Sequence, residues 1–295
     1  MATIANQIRS GQIELGIGGG VESMSINSMM DGVNPDALSD KVFEHEEAQK
    51  CLIPMGVTSE NVAVKYGISR EQQDKMACES HKKAAHAQKM GWSQAEITPY
   101  KTIIKNKDGE ETEVLVDRDD GVRANTTMEG LAKLKPAFKK GGTTTAGNAS
   151  QVSDGAAAVL LAKRSTAERL GLPIKGRLLS FAACGVPPEI MGIGPAFAIP
   201  KALKQTGLAV KDIDVWEVNE AFASQATYSV ETLGIPYDKL NQRGGGIALG
   251  HPLGCTGARM IVTMFHELER VKGNYGVVSM CIGTGMGACG IFERE

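Results

Sequence analysis

A chain of 295 residues is long enough for one large or two medium domains, and 42% hydrophobic with 22% charged residues is ordinary for a globular protein. The formal net charge of -2 excludes an overall positive field of the kind that gathers nucleic acid or anionic membranes. No apolar run approaches the ~18 residues of a membrane span, and the six cysteines include no two-residue-spaced pair typical of zinc or redox sites. We therefore expect a soluble protein with reduced thiols, no metal, no membrane span and no nucleic-acid partner.

The first residues carry a helical pattern without a charged leader or an apolar signal core. Thr3 comes too late in this pattern to cap it, so we expect that the sequence begins inside a helix and that an upstream segment is missing. A short natural first helix is the alternative. Apolar residues then alternate over residues 13–17, which predicts a strand that ends in a turn at the glycines 18–20.

The middle of the chain, residues 31–141, departs from any regular alternation of strands and helices, and we interpret it as an insertion or lid. Ser69 and Gln72 have the spacing of a capping box, which predicts a long helix that stops at Gly91. The pair Asp-Gly at 108–109, between two strand-like runs, predicts a hairpin.

The second half of the chain alternates strands and helices. An apolar run at 156–161 predicts a central strand that is covered on both faces. The alternation beyond it predicts an α/β sheet with helices on both sides. The predicted strands are 174–183, 213–218, 276–281 and 288–292, and the predicted helices are 195–206, 221–233 and 256–271.

Three polar residues at strand or loop ends of this half are candidates for chemistry. His251 lies in a glycine-rich loop before a helix, where it suits general base work or donation to an oxyanion. Cys281 ends an apolar strand and precedes glycines whose N–H groups can converge. Asn219 closes another strand, where its amide can orient a water or a carbonyl. Taken singly, a structural loop histidine, a buried cysteine and a helix-capping asparagine are the alternatives.

The combination of the three residues is more specific than any one of them. Ligands collect at the carboxyl ends of strands in α/β sheets, and all three candidates occupy such places. Making or breaking a carbon–carbon bond next to a thioester requires an enolate, hence a proton carrier and fixed donors facing the oxygen. The residue types found here supply both.

Motifs over essentially the whole chain make it resemble the thiolase family. They are Asn219-Glu220-Ala221-Phe222, Gly250-His251-Pro252, Cys281-Ile282-Gly283, and the segments 19–24, 55–63, 145–150 and 153–156. The chain is most similar to the peroxisomal, broad chain-length class of 3-ketoacyl-CoA thiolases. Pro54 supports this class, because it stands where the acetoacetyl-CoA type carries a histidine.

The resemblance implies a fold and a set of domains. The thiolase fold consists of two similar five-layered α/β halves with an inserted loop domain, and here the first half is incomplete. Residues 1–30 and 142–172 would be the remnant of the N-terminal domain, 31–141 the loop domain and 173–295 the C-terminal domain. Because the family's enzymes act as dimers or tetramers, we expect a homodimer.

The resemblance also implies an activity and roles. The reaction is thiolytic cleavage of 3-ketoacyl-CoA to acetyl-CoA and a shortened acyl-CoA in fatty acid β-oxidation, or the reverse condensation, with coenzyme A as co-substrate and no permanent cofactor. His251 matches the histidine that activates the nucleophile and helps bind the thioester oxygen. Cys281 matches the cysteine that protonates the leaving enolate. Asn219 matches the asparagine that holds a water in the first oxyanion hole, and the N–H of Gly283 matches part of the second.

Six further residues match the family's coenzyme A contacts and form a pantetheine tunnel by resemblance. They are Met55, Phe138, Ala146, Ser150, Ala221 and Phe222. For Ala146 or Ala221 alone, a packing position is the alternative. By the same resemblance we expect a peroxisomal location, and otherwise a mitochondrial or cytoplasmic one.

One family motif is not among these residues. The family nucleophile lies in a Cys-Ser-Ser-Gly turn, and none of the six cysteines replaces it; Cys255 is interpreted as a packing residue. Loss of one residue of a coupled catalytic site can lower the rate as much as loss of all of them. This chain alone is therefore expected to be inactive in thiolysis. We therefore keep two hypotheses: a truncated thiolase, and a non-catalytic acyl-CoA-binding or dimer-partner protein. A ketoacyl synthase fits poorly, because that relative has a histidine where Cys281 stands.

Overall fold

The computed structural model describes residues 1–26, 38–106 and 108–295. Its strands are β1 (Leu15–Ser23), β2 (Tyr100–Lys105), β3 (Glu111–Val116), β4 (Asp154–Ala162), β5 (Gly176–Gly185), β6 (Val215–Val218), β7 (Tyr275–Ile282) and β8 (Met286–Arg294). Its α-helices are α1 (Ala2–Arg9), α2 (Asp40–Glu44), α3 (Glu46–Lys50), α4 (Met55–Tyr66), α5 (Arg70–Lys89), α6 (Met128–Ala132), α7 (Arg164–Arg169), α8 (Gly194–Thr206), α9 (Ala223–Leu233), α10 (Gly246–Leu249) and α11 (Leu253–Val271).

The carboxyl-terminal half is built on a four-stranded sheet in the order β5-β8-β7-β6. The pair β6 and β7 is parallel, and the other two pairs are antiparallel. Neighbouring residues of a strand point to opposite faces, so Trp216 packs with α8 and α9 while Val215 packs with α11. The predicted sheet with helices on both sides is therefore confirmed, and the predicted strands and helices of this half all form.

The amino-terminal sheet differs from the prediction in two ways. Strand β1 pairs with β4 in antiparallel register from Leu15 opposite Ala162 to Ser23 opposite Asp154, so the glycines 18–20 lie inside a strand and the predicted turn is wrong. The predicted cover on both faces of β4 is also wrong. Val21 of β1 is 74% exposed and Leu160 of β4 is 52% exposed, so one face of this two-stranded sheet is open within the residues that the structure describes.

The glycines of β1 are explained by close approach of helices to its inner face. A Cβ on Gly18 would lie 2.7 Å from the Cα of Met1, the residue before α1. A Cβ on Gly20 would overlap the carbonyl oxygen of Gly254, in the first turn of α11. Side chains at these positions would push both helices off the sheet, so only glycine fits.

The predicted features of the middle of the chain are confirmed where the structure describes them. Ser69 and Gln72 make both hydrogen bonds of a capping box, at 3.1 and 2.8 Å, and α5 runs from there to Lys89. Strands β2 and β3 form the hairpin, with Gly109 at φ +84 in its turn. The predicted domain bounds stay a prediction, and the bound at 30/31 falls outside the described residues.

Among the helices in the described ranges, none combines the length and the apolar character that crossing a membrane requires.

Candidate active site

His251 is placed by glycine backbone and by the start of α11. Gly250 has φ +92, and a Cβ there would overlap the hydroxyl of Ser153, so both the conformation and the space require glycine. The backbone N–H of His251 donates to the carbonyl oxygen of Gln151 at 3.2 Å. Pro252 then caps α11, which begins at Leu253. The backbone of His251 is thus held by the loop that leads into β4 and by the start of α11.

The imidazole of His251 has a polar partner on each ring nitrogen. Its Nε2 lies 3.2 Å from Nδ2 of Asn219, and its Nδ1 lies 2.6 Å from Oγ1 of Thr256. Burial, helped by the nearby guanidinium of Arg259, lowers the pKa of His251 to about 4. The ring is therefore neutral near pH 7, in the form that accepts a proton.

Asn219 directly follows β6, and Cys281 is the second-last residue of the neighbouring strand β7. Val218, the last residue of β6, is paired in parallel with Ser279 of β7, and the N–H of Asn219 donates to the carbonyl oxygen of Ser279 at 2.9 Å. Cys281 lies two residues beyond Ser279. Asn219 therefore contacts both the imidazole of His251 and the strand end that carries Cys281.

The surroundings of Cys281 keep its thiol protonated. Burial of the sulfur raises its pKa to about 11, although the residue as a whole is only partly buried. The turn that follows has two residues with positive φ, Thr284 at 67 and Gly285 at 95, and Gly285 accepts a hydrogen bond from the N–H of Val186 at 2.8 Å. Beside Gly283 there is open space, because a Cβ there would meet no atom within 4 Å.

The loop before His251 is held by a buried carboxylate that the sequence patterns did not single out. Glu220 accepts hydrogen bonds from Oγ of Ser80 at 2.6 Å and from Nδ2 of Asn241 at 2.7 Å. Its burial raises its pKa, and a Cβ on Gly245 would overlap the carboxylate. Glu220 thus links α5, the end of β6 and the glycine-rich loop that leads to His251.

Four of the residues expected to contact coenzyme A lie in two contacting pairs. The rings of Phe138 and Phe222 meet edge to face with centroids 6.0 Å apart, and the N–H of Ser150 donates to the carbonyl oxygen of Ala221 at 3.0 Å. A Cβ on Gly56, next to Met55 at the start of α4, would overlap the Phe138 ring.

The two alanines of the expected tunnel differ in burial. Ala221 is 7% exposed, so packing still accounts for it. Ala146 is exposed in the same loop as Ser150, and for it the packing alternative is wrong. Cys255 is buried, as predicted for a packing residue.

Two cavities in the described part of the chain lie away from these residues. One of about 620 Å³ is lined by α1, β4 and α11, and one of about 370 Å³ lies between α5 and the end of α11. Neither is lined by His251, Cys281 or Asn219.

Comparison with protein-family models identifies the class of protein. Residues 1–165 match the thiolase N-terminal domain and residues 172–294 match the thiolase C-terminal domain. The chain therefore belongs to the thiolase family, which confirms the predicted thiolase fold and disfavours the ketoacyl synthase alternative.

The chain is similar in sequence and in structure to several individual thiolases. The peroxisomal 3-ketoacyl-CoA thiolase B of Rattus norvegicus is 61% identical over 99% of this chain and 69% of its own length. The dimeric peroxisomal thiolase of Saccharomyces cerevisiae superposes with a TM-score of 0.88 at 53% identity, covering 99% of this chain and 72% of that one. The human mitochondrial 3-ketoacyl-CoA thiolase in complex with CoA gives 0.87 at 38% identity, covering 100% and 74%.

Proposed function

We propose that this chain is an acetyl-CoA C-acyltransferase of the peroxisomal 3-ketoacyl-CoA thiolase type. It would cleave 3-ketoacyl-CoA with coenzyme A into acetyl-CoA and a shortened acyl-CoA in fatty acid β-oxidation, as a homodimer located in the peroxisome. The observation that carries the proposal is the contact of Asn219 with both His251, at 3.2 Å, and the strand end that bears Cys281.

The protonation states of the site support an acid–base role in this reaction. In cleavage a thiol attacks C3 of the substrate and keeps the shortened acyl group, while the bond between C2 and C3 breaks and leaves its electron pair on C2 as the enolate of acetyl-CoA. A thiol whose pKa is about 11 is protonated at neutral pH and can give its proton to that carbon. His251, neutral because its pKa is about 4, can accept the proton of an attacking thiol. In condensation the same transfers run backwards.

The negative charge of the enolate oxygen requires donors that are in place beforehand. In our proposal the thioester oxygen binds beside His251 and Asn219, and the N–H of Gly283 serves the second oxyanion. The open space beside Gly283 leaves room for substrate there. The pantetheine arm would pass Met55, Phe138, Ala146, Ser150, Ala221 and Phe222.

These 295 residues contain no Cys-Ser-Ser-Gly sequence. We therefore propose that they supply the acid–base part of the reaction, and we expect little or no thiolysis of acetoacetyl-CoA by this chain alone. The half-reaction that needs only an acid and a base is exchange of the α-protons of acetyl-CoA with solvent.

The test is deuterium incorporation into the methyl group of acetyl-CoA in deuterium oxide, measured by mass spectrometry. We expect the chain to accelerate exchange above the buffer rate, and Cys281→Ala and His251→Asn each to remove the acceleration. Exchange at the buffer rate, with acetyl-CoA bound to the chain, would contradict the proposed chemistry.

A second candidate function is acyl-CoA binding without catalysis, either alone or beside an intact subunit. It is favoured by the contact between Phe138 and Phe222 in a chain without the nucleophile motif. One outcome distinguishes the two candidates. If the chain binds coenzyme A, Phe138→Ala weakens this binding, and the methyl protons of acetyl-CoA do not exchange, the second candidate is supported.

A further inference from the structure

We propose that Thr256 is a positioning residue that fixes the tautomer of His251, with the ring proton on Nδ1 and the lone pair on Nε2. Nothing in the family motifs assigns a role to this threonine. Its importance for catalysis rests on the function proposed above, whereas the tautomer itself is a property of the folded chain.

The hydroxyl of Thr256 has two partners and a single hydrogen. Its Oγ1 lies 3.1 Å from the carbonyl oxygen of Pro252, one helical turn earlier, and 2.6 Å from Nδ1 of His251. A carbonyl oxygen can only accept, so the bond to Pro252 uses the hydroxyl hydrogen. The remaining interaction then requires Nδ1–H of His251 to donate to a lone pair of Oγ1.

The partner on the other side of the ring is Asn219. Asn219 is compatible with this assignment: its Nδ2 lies 3.2 Å from Nε2 and can only donate, while its Oδ1 is buried without a hydrogen-bond partner among the described residues. Thr256 and Asn219 are each 1% exposed, so water competes little for either bond. The carbonyl oxygen of Asn219 accepts from Nε2 of Gln225 at 2.7 Å, which holds its backbone in place.

The assignment determines what the ring can do. With the lone pair on Nε2, the nitrogen next to Asn219 accepts a proton at once. With the other tautomer it would present a hydrogen there, and a proton would have to leave before one could be taken. A residue that holds the first tautomer therefore readies His251 as a base.

The tautomer can be measured without any activity. In the full chain labelled with ¹⁵N-histidine, long-range ¹H–¹⁵N spectra distinguish a protonated from an unprotonated ring nitrogen. The chain has five histidines, and the spectrum of His251→Asn assigns the signals of interest. At pH 7 we expect the His251 ring to carry its proton on Nδ1.

Variants of Thr256 distinguish the effect of its hydroxyl from the effect of its packing. Thr256→Val keeps the shape but removes the acceptor, so the Nδ1–H form should fall below half of the population. Thr256→Ser should keep the wild-type pattern. Thr227→Val, a change at another buried helical threonine whose hydroxyl points to the sulfur of Met76 at 3.6 Å, should leave the His251 signals unchanged.

Two results would overturn the proposal: a wild-type ring with its proton on Nε2, or an unchanged ring in a folded Thr256→Val chain. The first needs no variant, so a misfolded Thr256→Val chain does not remove the test. If the His251 ring carries its proton on Nδ1 but the chain does not accelerate proton exchange of acetyl-CoA, the proposed function is contradicted and the tautomer assignment is not.

Discussion

Gly20 is the most sensitive point of contact between the amino-terminal sheet and the helix that follows His251. A Cβ at this position would overlap the carbonyl oxygen of Gly254, and it would lie 2.7 Å from the carbonyl carbon and 3.3 Å from Cα of Cys255. All three atoms belong to the backbone, so no side-chain rotation relieves the overlap. Gly20→Ala should therefore push the first turn of α11 away from β1.

The cost follows from the size of this overlap. Extra methyl groups in packed sites cost about 1–3 kcal/mol, and a backbone clash belongs at the upper end of that range. A loss of about 3 kcal/mol lowers the melting temperature by roughly 6–12 °C for a chain of this size class. The matched control is Gly185→Ala in β5, where a Cβ would meet nothing within 4 Å. It should change stability by less than about 0.5 kcal/mol.

The assay is thermal unfolding of the wild type and both variants, followed by circular dichroism. In Gly20→Ala, ring signals of His251 should also shift, because Thr256 lies in the displaced turn. Equal melting temperatures for the two variants would refute the close-packing explanation of the glycines in β1.

Three further predictions concern titrating groups. Burial raises the pKa of Glu217 to about 8, so the folded state retains a proton that the unfolded state releases above about 4.5. Glu217 alone should lower the stability between pH 5 and 8 by at most about 1.4 kcal/mol per pH unit, and Glu217→Gln should reduce the slope measured by urea unfolding. The pKa of His251 is about 4 in the folded state, against the ordinary histidine value of 6.5 in the unfolded state. The contribution of the neutral ring to folding stability is therefore lost as the pH falls from 6.5 to 4, and His251→Asn should lessen this acid sensitivity. For Cys281, alkylation followed by peptide mapping should accelerate up to about pH 11, whereas a rate already level at pH 8 would contradict the raised pKa.

The elements of the second half could be predicted because their signals are local. Apolar periodicity gave strands β5 to β8 and the long helices, and the Ser69–Gln72 box gave the start of α5. Consecutive glycines are an ambiguous signal, because they occur in turns that end a strand and also inside strands on which a helix packs closely. Only the positions of Met1 beside Gly18 and of Gly254 beside Gly20 distinguish the two cases here.

The supporting residues of the site could not be predicted, because their partners are distant in sequence. Glu220 and Ser80 are 140 residues apart, and Gln151 reaches the carbonyl oxygen of Ile247 across 96 residues. No local pattern marks such pairs. Thr256 differs from these partners because it lies only five residues after His251. A threonine in the first turn of the helix that follows a loop histidine is a local signal that could have been used.

The most direct test of the central claim is a crystal structure of this chain with acetyl-CoA bound. We predict that the thioester group lies beside the imidazole of His251, and that the methyl carbon faces the sulfur of Cys281. An acetyl group bound elsewhere, or His251 and Cys281 facing separate spaces on either side of Asn219, would contradict the assignment of one acid–base site.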